Sequence, residues 1–411
     1  MAVADTCSHL IFLTSSTARS FMRRPSCSFA AAALGSVLVL ASCGSTDTTA
    51  EMADGLTVGA VDLSGSCPSS VVIQTHWHPQ IERGPLYELL GDRYEVDADQ
   101  KAIRGPLMAG GDYTGVDVEI RAGGPAIGFQ DVVATMYQDD TITMGYTTTD
   151  QAIQQSAAMP TISVMAQFEK NPQMIMWDPQ TYPEVESIGA LSSALAGTGG
   201  VIRYAGGTAY MEYLRSMGLV SDGVLDDSYD GTPANFVAAA GRDAQQGYST
   251  SEAYVYEHEV PSWDKPVSYQ LIHDAGWDAY AQQLSVREAD LDELAPCLEE
   301  LIPVMQRAEV DFFDNPTHAI DLTMEQVAEF RGGQAYSRET ADWAVTAMRE
   351  QGIVSNGPNA TVGDFDANRV ADFFDKALPV FSALGQDIAP GLRPDDLYTN
   401  QFIDPEIGFR S

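Results

Sequence analysis

Apolar and polar positions fall into two regimes along this chain. Through the first two thirds, short apolar runs bounded by small and turn-forming residues recur, and several read as strands: "SVVIQT" (70–75), "VDVEIRAGG" (116–124), "TITMGYTT" (141–148) and "TISVMAQFE" (161–169). Between them, "AIGFQDVVATMYQ" and "TDQAIQQSAA" carry helical spacing. Such alternation predicts a parallel sheet covered by helices. A second set predicts a second α/β lobe: "QMIMWD" (173–178), "GVIRYAGG" (200–207), helices from Thr208 and Thr232, "AQQGYST" (244–250) and "VSYQLIHDAG" (267–276). No internal repeat of fixed period is visible.

The last third changes character. "VREADLDELAPCLEELIPVMQRAEVDFF", "TMEQVAEFRG", "SRETADWAVTAMREQG" and "DANRVADFFDKALPVFSALG" place apolar residues at helical spacing with acids on the other side. This predicts a helical segment packed on one lobe, its carboxylates forming a solvated face.

The amino terminus adds a destination. Met22-Arg23-Arg24 precedes the apolar run "SFAAAALGSVLVLAS", which meets Cys43 and a small, polar stretch. The run is short for a membrane span, which needs ~20 residues, and reads as an export signal over residues 1–42. Residues 1–21 are poor in basic side chains and read as an upstream extension from a misplaced start. Leu40-Ala41-Ser42-Cys43 resembles the lipobox of bacterial lipoproteins, which implies acylation of Cys43 and attachment to a membrane. Residues 43–66 then read as a flexible linker.

The 411 residues fit two domains or one domain in two lobes, and 45% hydrophobic content is that of a folded body. With 58 acidic against 22 basic side chains the formal charge is -36, so most of the molecule repels phosphate backbones and nucleic acid is not expected as a partner. Of five cysteines, Cys7 and Cys27 precede Cys43. Cys67 and Cys297 remain, in an oxidising compartment, either as a disulfide closing a long loop or as two separate thiols.

No nucleophile elbow, phosphate loop or zinc spacing is present, and "GGPAIG" (123–128) lacks the lysine of a P-loop. His76, His78 and Glu82 in "THWHPQIERG" share ligand types with zinc sites, but no further well-spaced ligand follows, so no metal and no cofactor is expected. Trp77 stands at the carboxyl end of the first strand, where ligands bind in open α/β sheets, and reads as a stacking surface or a core residue. Thr147-Thr148-Thr149-Asp150, Gly206-Gly207-Thr208 and Ser249-Thr250-Ser251-Glu252 each end a strand and open a helix. Each is helix-cap chemistry whose groups a ligand can share, and three at equivalent positions in two lobes point to one site.

Taken in order, "VVIQTHWHPQIERGPLYELLG", "TITMGYTTTDQAIQQSAAMPTISVMAQFEKNPQMIMWDP" and "GGTAYMEYLRSMGLV" resemble the solute-binding proteins of ABC importers. The likeness is to the branch that takes thiamine-pyrimidine precursors, alkylsulfonates and nitrate. It implies a type II periplasmic-binding-protein fold of two α/β lobes joined by two crossover strands near Ala166–Asp178 and Val267–His273. Lobe 1 then comprises residues 67–165 and 274–411, and lobe 2 residues 166–273. By the same resemblance Trp77, Glu82, Thr148, Thr149, Gly207, Thr208 and Thr250 line a cleft for a small-molecule solute, and a membrane permease is the partner of a monomeric receptor. Where pyrimidine binders carry a histidine after the tryptophan, this chain has Glu82, and a carboxylate suits an amine or another hydrogen-bond donor better than a sulfonate. The competing readings are an extracytoplasmic enzyme with Glu82 or Asp150 as general acid or base, and a sensor built on the same fold.

Overall fold

A computed structural model describes residues 52–331 and 336–410, so Cys43 and the export segment lie outside the described residues. Residues 56–66, read above as part of a linker, are docked: Gly59 N–H donates to Tyr113 O and Leu63 N–H to Thr114 O, both at 2.8 Å. Leu63 is fully buried and Val61 packs against the same core, so two apolar residues outweigh the polar composition around them. A disulfide then joins Cys67 to Cys297, with the Cα atoms 4.5 Å apart.

The first sheet is built around β1 (Ser70–Gln74), whose last four residues are buried because helices cover both faces. After a short helix, α1 (Gly84–Tyr87), come β2 (Glu95–Asp97), β3 (Ala102–Ala109) and β4 (Asp112–Arg121) in antiparallel sequence. Residues 95–109 were not read as strands, because Gly105-Pro106 breaks the pattern. Here Pro106 sits where the register shifts against β4, one of the few places a sheet accepts proline.

β4 then pairs parallel with β1, Val118 opposite Val71. Helix α2 (Val132–Gln138) begins later than its apolar spacing predicts, because Asp131 caps Val133 N–H at 2.8 Å. β5 (Met144–Thr147) lies parallel to β1 on its other side, and helix α3 (Thr149–Gln155) follows, capped by Thr148. β6 (Thr161–Phe168) is the far edge.

The chain then crosses to the second sheet as β7 (Gln173–Trp177). There follow α4 (Ile188–Thr198), β8 (Ile202–Arg203), α5 (Ala209–Ser216), β9 (Leu225–Asp226), α6 (Ala234–Ala238), β10 (Ala244–Tyr248), α7 (Glu252–His258) and β11 (Ser268–Leu271). A second crossing brings the chain back as β12 (Ala281–Arg287), which inserts between β5 and β6 and is antiparallel to both.

The two sheets repeat one plan. The first has the order β2-β3-β4-β1-β5-β12-β6 and the second β11-β7-β10-β8-β9. In each, three parallel strands (β4, β1, β5 and β9, β8, β10) are followed by the strand that arrives from the other lobe, running antiparallel (β12 and β7). The last position is held by the strand about to leave (β6 and β11).

The carboxyl-terminal third is helical: α8 (Leu291–Asp314), α9 (Thr317–Phe330), α10 (Arg338–Glu350) and α11 (Ala367–Ala383). Residues of these helices pack with residues of both sheets. One apolar cluster joins the first-sheet residues Val71, Ile73 and Met144 to Leu301 and Phe312 of α8 and to Met174, Met176 and Trp263 beyond the first crossing. Another joins Ala152 and Ile153 of α3 to Leu191, Leu214 and Ile202 of the second lobe through Phe373 and Phe381 of α11. Hydrophobic packing therefore runs across both flanks of the hinge.

Candidate functional site

In both sheets the parallel strands end toward the seam between the lobes, where helix caps and turns present polar groups. Glu82, in the turn before α1, meets Thr250, in the turn before α7, with Thr250 Oγ1 donating to Glu82 Oε1 at 2.7 Å. The two residues are 168 apart in sequence and come from opposite lobes, and Thr250 is fully buried. Gln282, at the start of β12, donates from Nε2 to the Glu82 carbonyl at 3.1 Å and is held at φ 46°, left-handed backbone that is costly for a residue with a Cβ. Glu82 Oε2 and Gln282 Oε1 are both buried and have no hydrogen-bond donor within the protein.

Arg83, beside Glu82, is almost wholly buried. Its Nη1 donates to Gln80 Oε1 at 3.2 Å and lies 3.7 Å from Glu82 Oε2, while Nη2 stands 3.2 Å from His76 Nε2. A guanidinium only donates, so His76 Nε2 is the acceptor and its ring is neutral with the proton on Nδ1. Burial, and then the Arg83 charge, hold the His76 pKa well below its usual value. The pair His76 and Arg83 thus replaces the metal cluster that His76, His78 and Glu82 could suggest. Among the described residues no group of histidine, cysteine and carboxylate side chains is placed to hold a metal ion.

Across the seam stand Tyr248 and Glu252, both in partial contact with solvent yet closely surrounded by protein. Glu252 Oε2 accepts from Tyr248 N–H at 2.8 Å. Burial raises the Glu252 pKa to about 7 and the Tyr248 phenol to about 12. The charges felt at Tyr248 are Arg83, Glu252, Glu82 and Asp150, so this ring is the point where both lobes' ionisable groups converge.

The other residues expected to line the cleft divide among three places. Thr148 caps α3 and its hydroxyl donates to Asp150, whose Oδ2 accepts from Trp277 Nε1 at 3.1 Å. Thr149 is buried against the hinge: its Oγ1 accepts from Tyr280 N–H at 3.1 Å and Gln283 Nε2 at 2.8 Å, so both acceptor positions of the hydroxyl serve the hinge. Gly207 is exposed at φ 80°, and Thr208 precedes α5 without a side-chain cap. Trp77 is half-buried at the rim, its ring centroid 5.5 Å from that of His78 and 5.9 Å from that of Phe129, which is 69% exposed. A Cβ on Gly124 would meet the Trp77 ring at 2.8 Å, so glycine is what lets this indole lie on the loop after β4.

Two devices tie the lobes together beside the seam. Arg369 of α11 grips both crossings: Nη1 reaches Glu169 Oε2 at 3.0 Å, Nη2 reaches Glu169 O at 2.6 Å and Asp278 O at 2.9 Å, and the guanidinium lies 3.7 Å from the Tyr280 ring centre. On the other flank α10 bridges the lobes. Tyr336, just before it, accepts from Ile81 N–H at 3.1 Å in the first lobe, while Thr340 Oγ1 donates to Glu259 at 2.8 Å in the second. Ser249 Oγ donates to Gln351 Oε1 at 2.5 Å where α10 ends.

No protein-family profile matches the chain, and no curated protein matches it by sequence. Solved structures do. The periplasmic aliphatic sulphonate binding protein SsuA from Escherichia coli superposes with TM-score 0.52 at 12% identity, over 84% of this chain and 97% of that one. The periplasmic nitrate-binding protein NrtA from Synechocystis PCC 6803 gives 0.47 at 13%, over 84% and 88%. A ligand binding component of an ABC-type import system from Staphylococcus aureus, with zinc bound, gives 0.47 at 11%, over 82% and 98%. The fold is that of the periplasmic solute-binding proteins: two α/β lobes joined by two crossings, with a helical carboxyl-terminal segment.

Sequence reasoning missed Arg83, Tyr248 and Gln282, and named Glu252 only as part of a helix cap. Arg83 and Tyr248 stand beside residues singled out in "IER" and "GYSTSE", so their signal is adjacency to a strand end. Gln282 carried none, because β12 itself was not foreseen.

Proposed function

We propose that the protein is an extracytoplasmic solute-binding lipoprotein that captures a small organic molecule between its lobes and delivers it to an ABC-type permease. The observation that supports this best is the seam itself. Two lobes of one strand plan present buried polar side chains to each other, joined at Glu82 and Thr250. In this reading Trp77, Glu82, Thr148, Gly207, Thr208 and Thr250 surround the solute, while Thr149 positions the hinge. No bond in the solute is made or broken: it binds the open form, and the second lobe adds its hydrogen bonds on closure. The closed state is stabilised by as much as the solute prefers it. Asp150 suits an acid–base role poorly, since both its oxygens accept bonds from Thr148 and Trp277.

Acyl chains on Cys43 would hold the receptor at the outer face of the membrane, and the lipid anchor is tested by labelling cells with a fatty-acid probe and comparing wild type with Cys43→Ser. For solute capture, a thermal-shift screen of small organic molecules is the measure. A solute at ~100 times its dissociation constant adds about 2.7 kcal/mol to stability. Recovery of that solute unaltered after prolonged incubation is expected. Its conversion to product would establish an enzyme instead.

A further inference from the structure

We propose that the solute is a small organic cation with N–H donors, an amine, amidine or guanidine, whose charged end lies between Glu82 of the first lobe and Glu252 of the second. The proposal rests on the solute-binding reading above and supplies its chemical class.

The count of hydrogen-bonding capacity at the seam points this way. Glu82 is 4% exposed, and its Oε1 accepts from Thr250 of the opposite lobe, which fixes the carboxylate at the interface and leaves Oε2 without a donor. Gln282, also 4% exposed and bonded to the Glu82 carbonyl, adds a second acceptor without a donor, Oε1. A buried acceptor without a partner costs about 1–3 kcal/mol, so a guest that donates there recovers that energy. The unpartnered donor nearby is Arg83 Nε; Nη1 is bonded to Gln80 and Nη2 to His76, and Nη1 approaches Glu82 Oε2 only to 3.7 Å, an ion-pair contact that leaves the oxygen without a hydrogen bond.

Charge agrees. Glu82, Asp150 and Glu252 all act on Tyr248, against the single cation Arg83. The ionisable groups that face Glu252 are Glu82, Tyr248, Tyr229 and Tyr256, with no cation among them. Burial without a counter-charge is what lifts the Glu252 pKa to about 7. The half-buried rings of Tyr248 and Tyr229 add faces on which an ammonium or guanidinium can rest.

A bound cation favours ionised Glu252, so affinity should rise with pH. The carboxyl is roughly one-tenth ionised at pH 6 and nine-tenths at pH 8, which sets the expected gain at about tenfold.

The test is calorimetric titration of the whole exported protein with agmatine and putrescine, and in parallel with ethanesulfonate and nitrate. Saturable binding of agmatine or putrescine is expected, about tenfold tighter at pH 8 than at pH 6. Glu252→Gln should flatten that pH profile, and Glu82→Gln, which keeps the shape and the Thr250 bond, should weaken binding at least tenfold with the unliganded melting temperature held. Binding of ethanesulfonate or nitrate with none of the amines overturns the cation and leaves solute capture standing. Amine binding that neither substitution alters overturns the placement between Glu82 and Glu252. If neither these solutes nor a broad metabolite screen binds, the solute-binding reading falls with it.

Discussion

Removing the Arg369 side chain should loosen the hinge specifically. Arg369 is 18% exposed and its partner Glu169 11%, and the guanidinium bonds to Glu169 and to the Asp278 carbonyl, one in each crossing. Breaking a buried ion pair by deleting one partner costs about 3–5 kcal/mol, because the remaining charge is stranded. Here the cost is moderated: burial has already raised Glu169 to about 7, so the carboxyl takes a proton readily. Arg369→Ala is therefore expected to cost about 3 kcal/mol at pH 8 and less at pH 6. Hydrogen exchange reads this locally. The amides of Glu169 and Lys170 bond to Ile353 O, and those of Gly276 and Trp277 to His273 O and Ile272 O. If they open with the hinge, a loss of ~3 kcal/mol speeds their exchange roughly 150-fold at pH 8, while amides of β1 and β4 keep their rates. Unchanged protection at the crossings, or equal acceleration throughout both sheets, would refute Arg369 as the hinge clamp.

Stability should rise as pH falls from 8 to 5.5, because burial raises Glu88 to about 6, Glu169 and Glu252 to about 7, and Glu309 well above the usual carboxyl value. Each binds a proton more tightly folded than unfolded, so each contribution is full below the ordinary carboxyl pKa and is lost as pH rises through the folded value; a melting temperature that climbs toward pH 8 would contradict this. Glu309, fully buried on α8 with neither carboxyl oxygen hydrogen-bonded, should be improved by Glu309→Gln, by about 1–3 kcal/mol at pH 8 and little at pH 5, measured by urea denaturation. Reduction of Cys67–Cys297, which closes a loop of 230 residues, should cost about 2–5 kcal/mol, and an unchanged urea midpoint after verified reduction would count against it. Thr250→Val leaves Glu82 without its donor and should lower stability by about 1–3 kcal/mol, and adding Thr250→Val to a Glu82→Leu background, where no acceptor remains, should cost much less if the bond is the cause.

The strands of both lobes were legible wherever β-branched residues form uninterrupted apolar runs, as in "SVVIQT" and "TISVMAQFE". β12 was hidden because "AQQLSVR" reads as polar: Gln282 and Gln283 are buried there only because Glu82 O and Thr149 Oγ1 accept from them, partners 200 and 134 residues away. The helical third was legible from its period, but its placement across both lobes depends on long-range contacts such as Trp277 against Phe373, whose ring centres are 4.8 Å apart. At the site, Glu82 and Thr250 could be named from strand ends. Their meeting could not, since it depends on how the lobes close.

Continuous apolar packing on both sides of the hinge changes the kinetics to be expected of such a receptor. With α10 and α11 each seated on two lobes, gaping exposes nonpolar surface to water, so the molecule rests shut and the guest waits on a rare breathing motion. Uptake should then reach a plateau rate as guest concentration grows, with the doorway's own opening frequency as its ceiling.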